Sequence, residues 1–200
     1  MKFKKTVILI LCLFTFFAAI SQQNNPEILV FTKTNGFRHK SIPSGINYFI
    51  NLKKVTNWKI DFSENSNDFS KENLSNYNVV VFLNTTGNLF NENQKKAFKK
   101  YIANGNGFVG IHAASNTEEQ WPWFTNLVGA TFKNHPKVQN AKVFIHQESE
   151  HPAISHLQKE EVFKDEWYNF KKPVGKHVSV LATVDEKSYK GKQMNTDNHP

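Results

Sequence analysis

The sequence predicts an α/β protein with an open sheet that is parallel in its centre and covered by helices on both faces. Three short apolar runs carry this prediction, at residues 27–32, 78–83 and 107–112, and segments with helical periodicity separate them. Apolar runs without polar alternation are typical of strands buried on both faces. Alternation of such strands with helices favours parallel pairing, and right-handed crossovers then predict the strand order 2-1-3-4.

The N-terminus has the pattern of a secretory signal peptide over residues 1–21. Lysines at 2, 4 and 5 precede an apolar stretch from Val7 to Phe17, and Ala19 and Ser21 stand at the −3 and −1 positions of a cleavage site. The apolar stretch is shorter than the roughly 20 residues that span a bilayer. We expect an exported protein, periplasmic or extracellular, that begins at Gln22 and has no stable membrane insertion. An uncleaved N-terminal anchor is the alternative.

Cleavage would remove three lysines and the only cysteine, Cys12, lowering the net charge from +8 to +5. The mature chain would then have no thiol for a disulfide or a nucleophile. Its lysines form no basic block with interleaved aromatic residues, so we expect no nucleic-acid partner. The oligomeric state is not predicted.

The elements follow in order after a short polar segment, residues 22–26. The first strand leads to a helix with Ser41 as its predicted N-cap and Pro43 in its first turn. Residues 58–62 alternate as a second strand. Asn91 and Gln94 have the spacing of a capping box, and Gly105 suits the left-handed residue after that helix. Beyond the strand at 107–112 the pattern is less regular, with later strands predicted at 143–145, 162–170 and 178–184.

Unusual polar residues follow the apolar strands, where parallel sheets bind ligands. These segments and several later ones resemble the ThuA-like (trehalose utilisation) family in one unbroken order from residue 27 to the end. The matching segments are TNGFRH (34–39), FLNTTG (82–87), GNGFVGIHAA (105–114), VGATFKNHP (128–136), DEWYN (165–169) and the His-Pro pairs at 151–152 and 199–200. The resemblance implies a flavodoxin-like fold related to class I glutamine amidotransferases, and an association with sugar metabolism. The family continues past the last His-Pro pair, so the resemblance also implies that this chain, which stops at Pro200, is incomplete at its C-terminus.

His112 and Glu166 are the predicted catalytic residues. The related amidotransferases have a cysteine nucleophile where this chain has His112, so cysteine-dependent glutamine hydrolysis is not expected. An imidazole can act as general base, general acid or metal ligand, although His112 could also be a hydrogen-bonding residue at a strand end. Neighbouring side chains of a strand point to opposite faces, which pairs Glu166 with Tyr168, and Asp165 with Trp167. We favour Glu166 and Tyr168 as the site pair and retain Asp165 as a substrate-binding candidate.

Five further residues are predicted to bind substrate. Arg38 and His39 follow Gly36 and Phe37 in the loop after the first strand, where Phe37 is expected to pack the loop down and the donors suit a carboxylate, a phosphate or a sugar hydroxyl. Arg38 could instead be a structural clamp on Asp165 or Glu166. The others are Thr86, His135 and His199, the last two each before a proline.

No cofactor is expected, yet a divalent metal such as zinc is possible because His39, His112, His135, His199 and Glu166 offer suitable ligands. None of them has tight ligand spacing, so the fold would have to bring them together. Trp121 and Trp123 could stack on a sugar ring, but packing against the sheet is favoured.

These observations predict a sugar-processing enzyme that uses His/carboxylate acid–base chemistry on a keto-sugar or a glycoside, as a hydrolase, lyase or isomerase. The alternative is a non-catalytic carbohydrate-binding protein with the same fold. An interaction domain of a larger surface assembly is a third possibility, and it would need a large exposed apolar patch.

Overall fold

A computed structural model describes residues 25–194, 196 and 199–200. The predicted signal peptide therefore lies outside the described residues. The main sheet has four parallel strands, β1 (Glu27–Phe31), β2 (Lys59–Ser63), β3 (Val79–Leu83) and β4 (Gly107–Ile111), in the order β2-β1-β3-β4. The predicted parallel pairing and strand order are both confirmed.

Four helices accompany this sheet: α1 (Ile42–Val55), α2 (Lys71–Leu74), α3 (Glu92–Ala103) and α4 (Pro122–Val128). Successive strand residues point to opposite faces, and each face has its own core. Val81 and Leu83 pack with Phe49 of α1 on one face. Val80 and Phe82 pack with an aromatic cluster on the other, which includes Phe69, Phe98 and Phe124. Helices thus cover both faces, as the unbroken apolar strands predict.

The predicted helix ends are partly confirmed. Asn91 and Gln94 form a reciprocal capping box at α3, and Gly105 has a φ of +91° just beyond that helix. Ser41 occupies the N-cap position of α1 but makes no capping hydrogen bond. Its hydroxyl lies 3.4 Å from the Asn84 side-chain oxygen instead.

The second half of the chain forms two small antiparallel sheets. Strand β5 (Phe132–Asn134) pairs with β8 (Asn169–Phe170), and β6 (Gln139–Ile145) pairs with both β7 (Glu160–Asp165) and β9 (Ala182–Val184). The single strand predicted over 162–170 is therefore two strands, interrupted at 166–168. Of the residues predicted as a strand over 178–184, only the last three form one, which is β9.

Backbone contacts join the loops that follow β1, β3 and β4. The amide of Asn35 donates to the carbonyl of Thr86, and the amide of Gly87 donates to the carbonyl of Asn116, each at 2.9 Å. Gly87 has a φ of +78°, and a Cβ there would lie 3.0 Å from the Gly36 nitrogen. The loops are in backbone contact at a point that leaves no room for a side chain.

Within the described part of the chain, none of the helices has the length and apolar character needed to span a bilayer.

Candidate functional site

A polar cluster lies at the carboxyl edge of the main sheet and consists of His39, His112, His135 and Glu166. His39 is in the loop after β1, and His112 directly follows β4. His135 follows β5, and Glu166 follows β7. The fold therefore brings together four residues that are far apart in sequence, at the edge where open α/β sheets bind ligands.

One carboxylate oxygen is the centre of this cluster. The Glu166 Oε2 atom is 3.3 Å from the His112 Nε2, 3.7 Å from the His135 Nε2 and 3.8 Å from the His39 Nε2. The His39 and His112 Nε2 atoms are 3.2 Å apart. The side chains are between 11% and 34% exposed, so the cluster is sheltered but reachable from solvent.

Tyr168 completes the cluster on the side of His112. Its hydroxyl is 3.0 Å from the His112 Nε2, and the two ring centroids are 4.5 Å apart. Burial raises the pKa of the Tyr168 phenol, and the Glu166 carboxylate raises it further. Tyr168 therefore stays protonated at neutral pH and can donate a hydrogen bond. The predicted pair of Glu166 and Tyr168 does meet at His112, with Trp167 turned away to donate to the Gln139 carbonyl.

Burial and a neighbouring ring lower the pKa of His39 and favour its neutral form. Burial lowers its pKa, the His112 ring adds to this effect, and Glu166 opposes it. The His39 Nδ1 is buried without a hydrogen-bond partner among the described residues. A buried N–H without an acceptor is costly, so the single proton of the neutral ring belongs on Nε2, facing Glu166 and His112.

Asn84 holds the backbone of His112 in place, and the sequence interpretation did not single it out. Its side-chain amide donates to the His112 carbonyl, and its own backbone has a positive φ of 54°. Asparagine adopts this conformation more readily than most residues. The available signal was its place directly after β3, in the same polar segment that contains Thr86.

His199 contacts the backbone of Tyr168 and so helps to position this site residue. Its Nε2 donates to the Tyr168 carbonyl at 2.7 Å, and its Nδ1 is 3.0 Å from a Glu186 carboxylate oxygen. The His199 side chain is 1% exposed and that of Glu186 is 6% exposed. His199 was predicted to bind substrate. It is buried and positions the Tyr168 backbone, and it also lines the cavity beside the cluster, so its role in binding stays a prediction.

Three other predicted substrate-binding residues lie outside the cluster. Thr86 is completely buried and donates to the Phe37 carbonyl, which does not fit contact with a sugar. Arg38 pairs with Glu64 at 2.6 Å, so the clamp alternative holds with a different partner from Asp165 or Glu166. Asp165 is exposed and accepts a hydrogen bond from the Glu166 amide.

The aromatic residues near the site also differ in part from expectation. Phe37 does not pack its loop down. It is 66% exposed and lies edge-on to the His39 ring, with centroids 4.8 Å apart. Trp121 and Trp123 pack against the aromatic core, as favoured.

A cavity of about 340 Å³ opens beside the cluster. Its lining includes His112, Glu166 and Tyr168 on the polar side and Ile111, Val143 and Phe170 on the apolar side. This volume lies at the lower end of the range of small-molecule sites. A cavity with one polar wall of proton donors and acceptors suits a small polar ligand with an apolar face.

The sheet order and the helices on both faces define a flavodoxin-like α/β protein, with a candidate site at the carboxyl edge of its sheet. The chain belongs to the trehalose utilisation family, ThuA, which it matches over residues 27–200. The family predicted from the sequence motifs is thereby confirmed, and with it a coarse connection to carbohydrates.

Two solved structures are similar to this protein. A ThuA-like protein from Bacteroides uniformis ATCC 8492 shares 29% identity at a TM-score of 0.71, over 83% of this chain and 71% of that one. A ThuA-like protein from Parabacteroides merdae ATCC 43184 has a TM-score of 0.65 over 82% of this chain and 70% of that one. At 21% sequence identity, this second similarity shows only that the two proteins share a fold. No curated protein matches the chain.

Proposed function

We propose that this protein acts on a keto-sugar or a glycoside in the cavity beside β4, by acid–base chemistry at His112 and Glu166. The observation that carries the proposal is the meeting of three complementary groups: the His112 imidazole, the Glu166 carboxylate at 3.3 Å and the Tyr168 hydroxyl at 3.0 Å. A base, a carboxylate beside it and a protonated donor are the groups that proton transfer next to a carbonyl requires.

The first step would remove a proton from the carbon beside a sugar carbonyl. The His112 Nε2 takes the proton, and Glu166 stabilises the imidazolium that forms. The electron pair of the broken C–H bond moves to the carbonyl oxygen, where the Tyr168 hydroxyl donates a hydrogen bond to the developing charge. An isomerase results if the proton is returned to the former carbonyl carbon while the hydroxyl proton of the adjacent carbon passes to the enolate oxygen. A lyase results if the enolate electrons expel a glycosidic oxygen β to the carbonyl, with the His112 imidazolium giving its proton to the leaving oxygen.

Phe37 fits the same substrate class. Sugar rings have apolar C–H faces that pack on aromatic side chains, and Phe37 is exposed beside His39 at the entrance to the cluster. His39 and His135 would then orient sugar hydroxyls. The alternative is a carbohydrate-binding protein without turnover, which would use the same residues.

The test is turnover by full-length protein on a panel of keto-sugars and glycosides, with His112→Ala beside wild type. A general acid–base group contributes about 10²–10⁴-fold in rate, so we expect a loss of that size. The side chain lies beyond the apolar run of β4, so the change should cost only about 1 kcal/mol of stability. His156→Ala is the matched control, because His156 is exposed and should change neither quantity.

Unchanged turnover by a folded His112→Ala protein would remove His112 from the mechanism. Saturable sugar binding by wild type, with no product on long incubation, would favour the binding protein.

A further inference from the structure

We infer that His39, His112 and Glu166 form a binding site for a first-row divalent metal ion of the zinc type, with His135 beside it. The His39 Nε2, the His112 Nε2 and a Glu166 carboxylate oxygen all lie within 4.8 Å of one another. The inference shares its site with the proposed function, but it can be tested without any substrate.

The spacing of the three atoms is that of a metal coordination shell. Zinc binds imidazole nitrogen and carboxylate oxygen at about 2.0–2.2 Å, which places two ligand atoms of a tetrahedral site about 3.4 Å apart. The observed separations are 3.2 Å between His39 and His112, 3.3 Å between His112 and Glu166, and 3.8 Å between His39 and Glu166. All three edges are close to the value that the ion requires.

Hydrogen bonding alone accounts poorly for this arrangement. The His112 Nε2 has one lone pair or one proton in the plane of its ring, yet the Glu166 carboxylate, the His39 nitrogen and the Tyr168 hydroxyl all lie within 3.3 Å of it. Two imidazole nitrogens can share a single proton between them at most. One cation in the centre would satisfy the nitrogens and the carboxylate together.

The tautomer of His135 also supports a cation site. Its Nδ1 lies 2.8 Å from the Pro136 carbonyl. A carbonyl only accepts, so Nδ1 carries a proton, and the Nε2 of the neutral ring has a lone pair. That lone pair lies 3.7 Å from the Glu166 carboxylate, and two acceptors side by side suit a cation between them. A backbone carbonyl that fixes the tautomer of a histidine is a usual companion of metal sites.

The ligand set indicates the ion. Imidazole nitrogens suit zinc, iron, copper and nickel, whereas magnesium and calcium prefer oxygen alone. Three protein ligands with a solvent-facing side are characteristic of catalytic sites and not of closed structural ones.

Ligation needs the His39 lone pair at Nε2, so the proton of that ring would move to Nδ1. That nitrogen is buried without an acceptor among the described residues, so the bond to the ion would have to offset the cost of an unpaired N–H. The ion would polarise a sugar oxygen. A metal-bound His112 Nε2 has no lone pair left to take a proton, so in the metal-bound protein that role would pass from His112 to His135, with Tyr168 as donor.

The test is zinc binding by tag-free, full-length protein that has been treated with EDTA and dialysed. Titration with ZnCl₂ in a calorimeter should give one site per chain. Cobalt(II) should give the visible absorption bands of an ion with nitrogen and oxygen ligands. Loss of a partner that merely orients a ligand typically weakens a metal site about 10–100-fold. We therefore expect Glu166→Gln and His112→Ala, which remove ligands, to weaken zinc binding by more than that.

Matched controls are Asp165→Asn, which changes the neighbouring exposed carboxylate, and His156→Ala, which removes an exposed histidine. Both should bind zinc as wild type does, and circular dichroism checks that every variant is folded. Absence of saturable binding in wild type would overturn the inference, and so would equal affinity in Glu166→Gln.

The metal site and the proposed activity are tested by separate measurements, so either can be rejected without the other. Turnover that persists in EDTA-treated protein, without zinc binding, would overturn the metal site and leave the proposed function standing. Zinc binding at one site with no turnover on the panel would do the reverse.

Discussion

Three other side chains meet at the imidazole of His112. Glu166, His39 and Tyr168 surround its Nε2, and Asn84 holds its backbone carbonyl. The apolar run of β4 determines where the side chain begins, and residues from three other segments determine what surrounds it. A single substitution at His112 therefore removes contacts to three side chains of the cluster and leaves the strand before it intact.

The lowered pKa of His39 predicts how stability responds to acid. An unfolded histidine titrates near pH 6.5, and burial lowers the pKa of His39 in the folded protein. As the pH falls through about 6.5, the unfolded chain takes up a proton that the folded ring resists. The contribution of His39 to stability is therefore complete above pH 6.5 and declines below it, until the folded pKa is reached.

Urea unfolding of EDTA-treated protein at about pH 8 and about pH 5 measures this decline. Wild type should lose more stability across the interval than His39→Gln, in which the titrating group is absent. The other histidines titrate in both proteins and largely cancel in the difference. Equal losses in the two proteins would show that His39 titrates normally in the folded state.

Single residues also mark the limit of what a sequence can predict. Strand alternation pairs Glu166 with Tyr168, and the two do meet at His112, although residues 166–168 lie between strands and not on one. The burial of Thr86 and His199 and the pairing of Arg38 with Glu64 depend on side chains from distant elements. No spacing along the chain contains that information.

At the scale of secondary-structure elements, one buried carboxylate connects the loops that follow β3 and β4. Glu118 is 1% exposed and has a positive φ of 49°. Its Oε1 accepts from the amides of Leu89 and Phe90, and its Oε2 lies 3.5 Å from the Lys95 ammonium. The side chain joins the loop after β4 to the segment that leads into α3.

Replacing Glu118 with alanine should therefore destabilise the fold. Two buried amides would lose their acceptor, at about 1–3 kcal/mol each, and we expect a total loss of about 3 kcal/mol. Urea unfolding of both proteins gives the difference. Glu119→Ala is the control, because Glu119 makes only a partly exposed ion pair with Lys171, worth about 0–1 kcal/mol. Similar losses in the two variants would contradict the role given to Glu118.

Element prediction succeeded where local signals were strong. The four parallel strands and the capping box of α3 follow from apolar runs and from cap residues a few positions apart. The strand predicted over 162–170 was wrong in its middle, because residues 166–168 leave the ladder and place Glu166 and Tyr168 at His112. Hydrophobic periodicity predicts regular strands, so it does not show where a site interrupts one.

At the scale of the whole molecule, sequence order fixes the sheet but not the site. Parallel strands with right-handed connections allow few arrangements, which is why the order β2-β1-β3-β4 could be predicted. The position of the antiparallel half, which supplies His135, Glu166 and Tyr168, depends on packing between elements that are far apart in the chain.

Export is a property of the whole protein that remains a prediction. We propose that residues 1–21 direct secretion and are removed after Ser21, so that the mature chain begins at Gln22. Mass spectrometry of protein secreted by a suitable bacterial host should give the mass of a chain starting at Gln22. A change of Ala19 to a bulky residue should block cleavage, whereas Thr6→Ser, outside the cleavage site, should not. Recovery of chains that retain Met1 would contradict the proposal.

The backbone contact between Gly36 and Gly87 restricts how such a site can change over time. An insertion in either loop would displace the other, and the Gly87–Asn116 hydrogen bond would pass the displacement to the loop after β4. The distance between the histidines at 39 and 112 is therefore kept only while both loops keep their length.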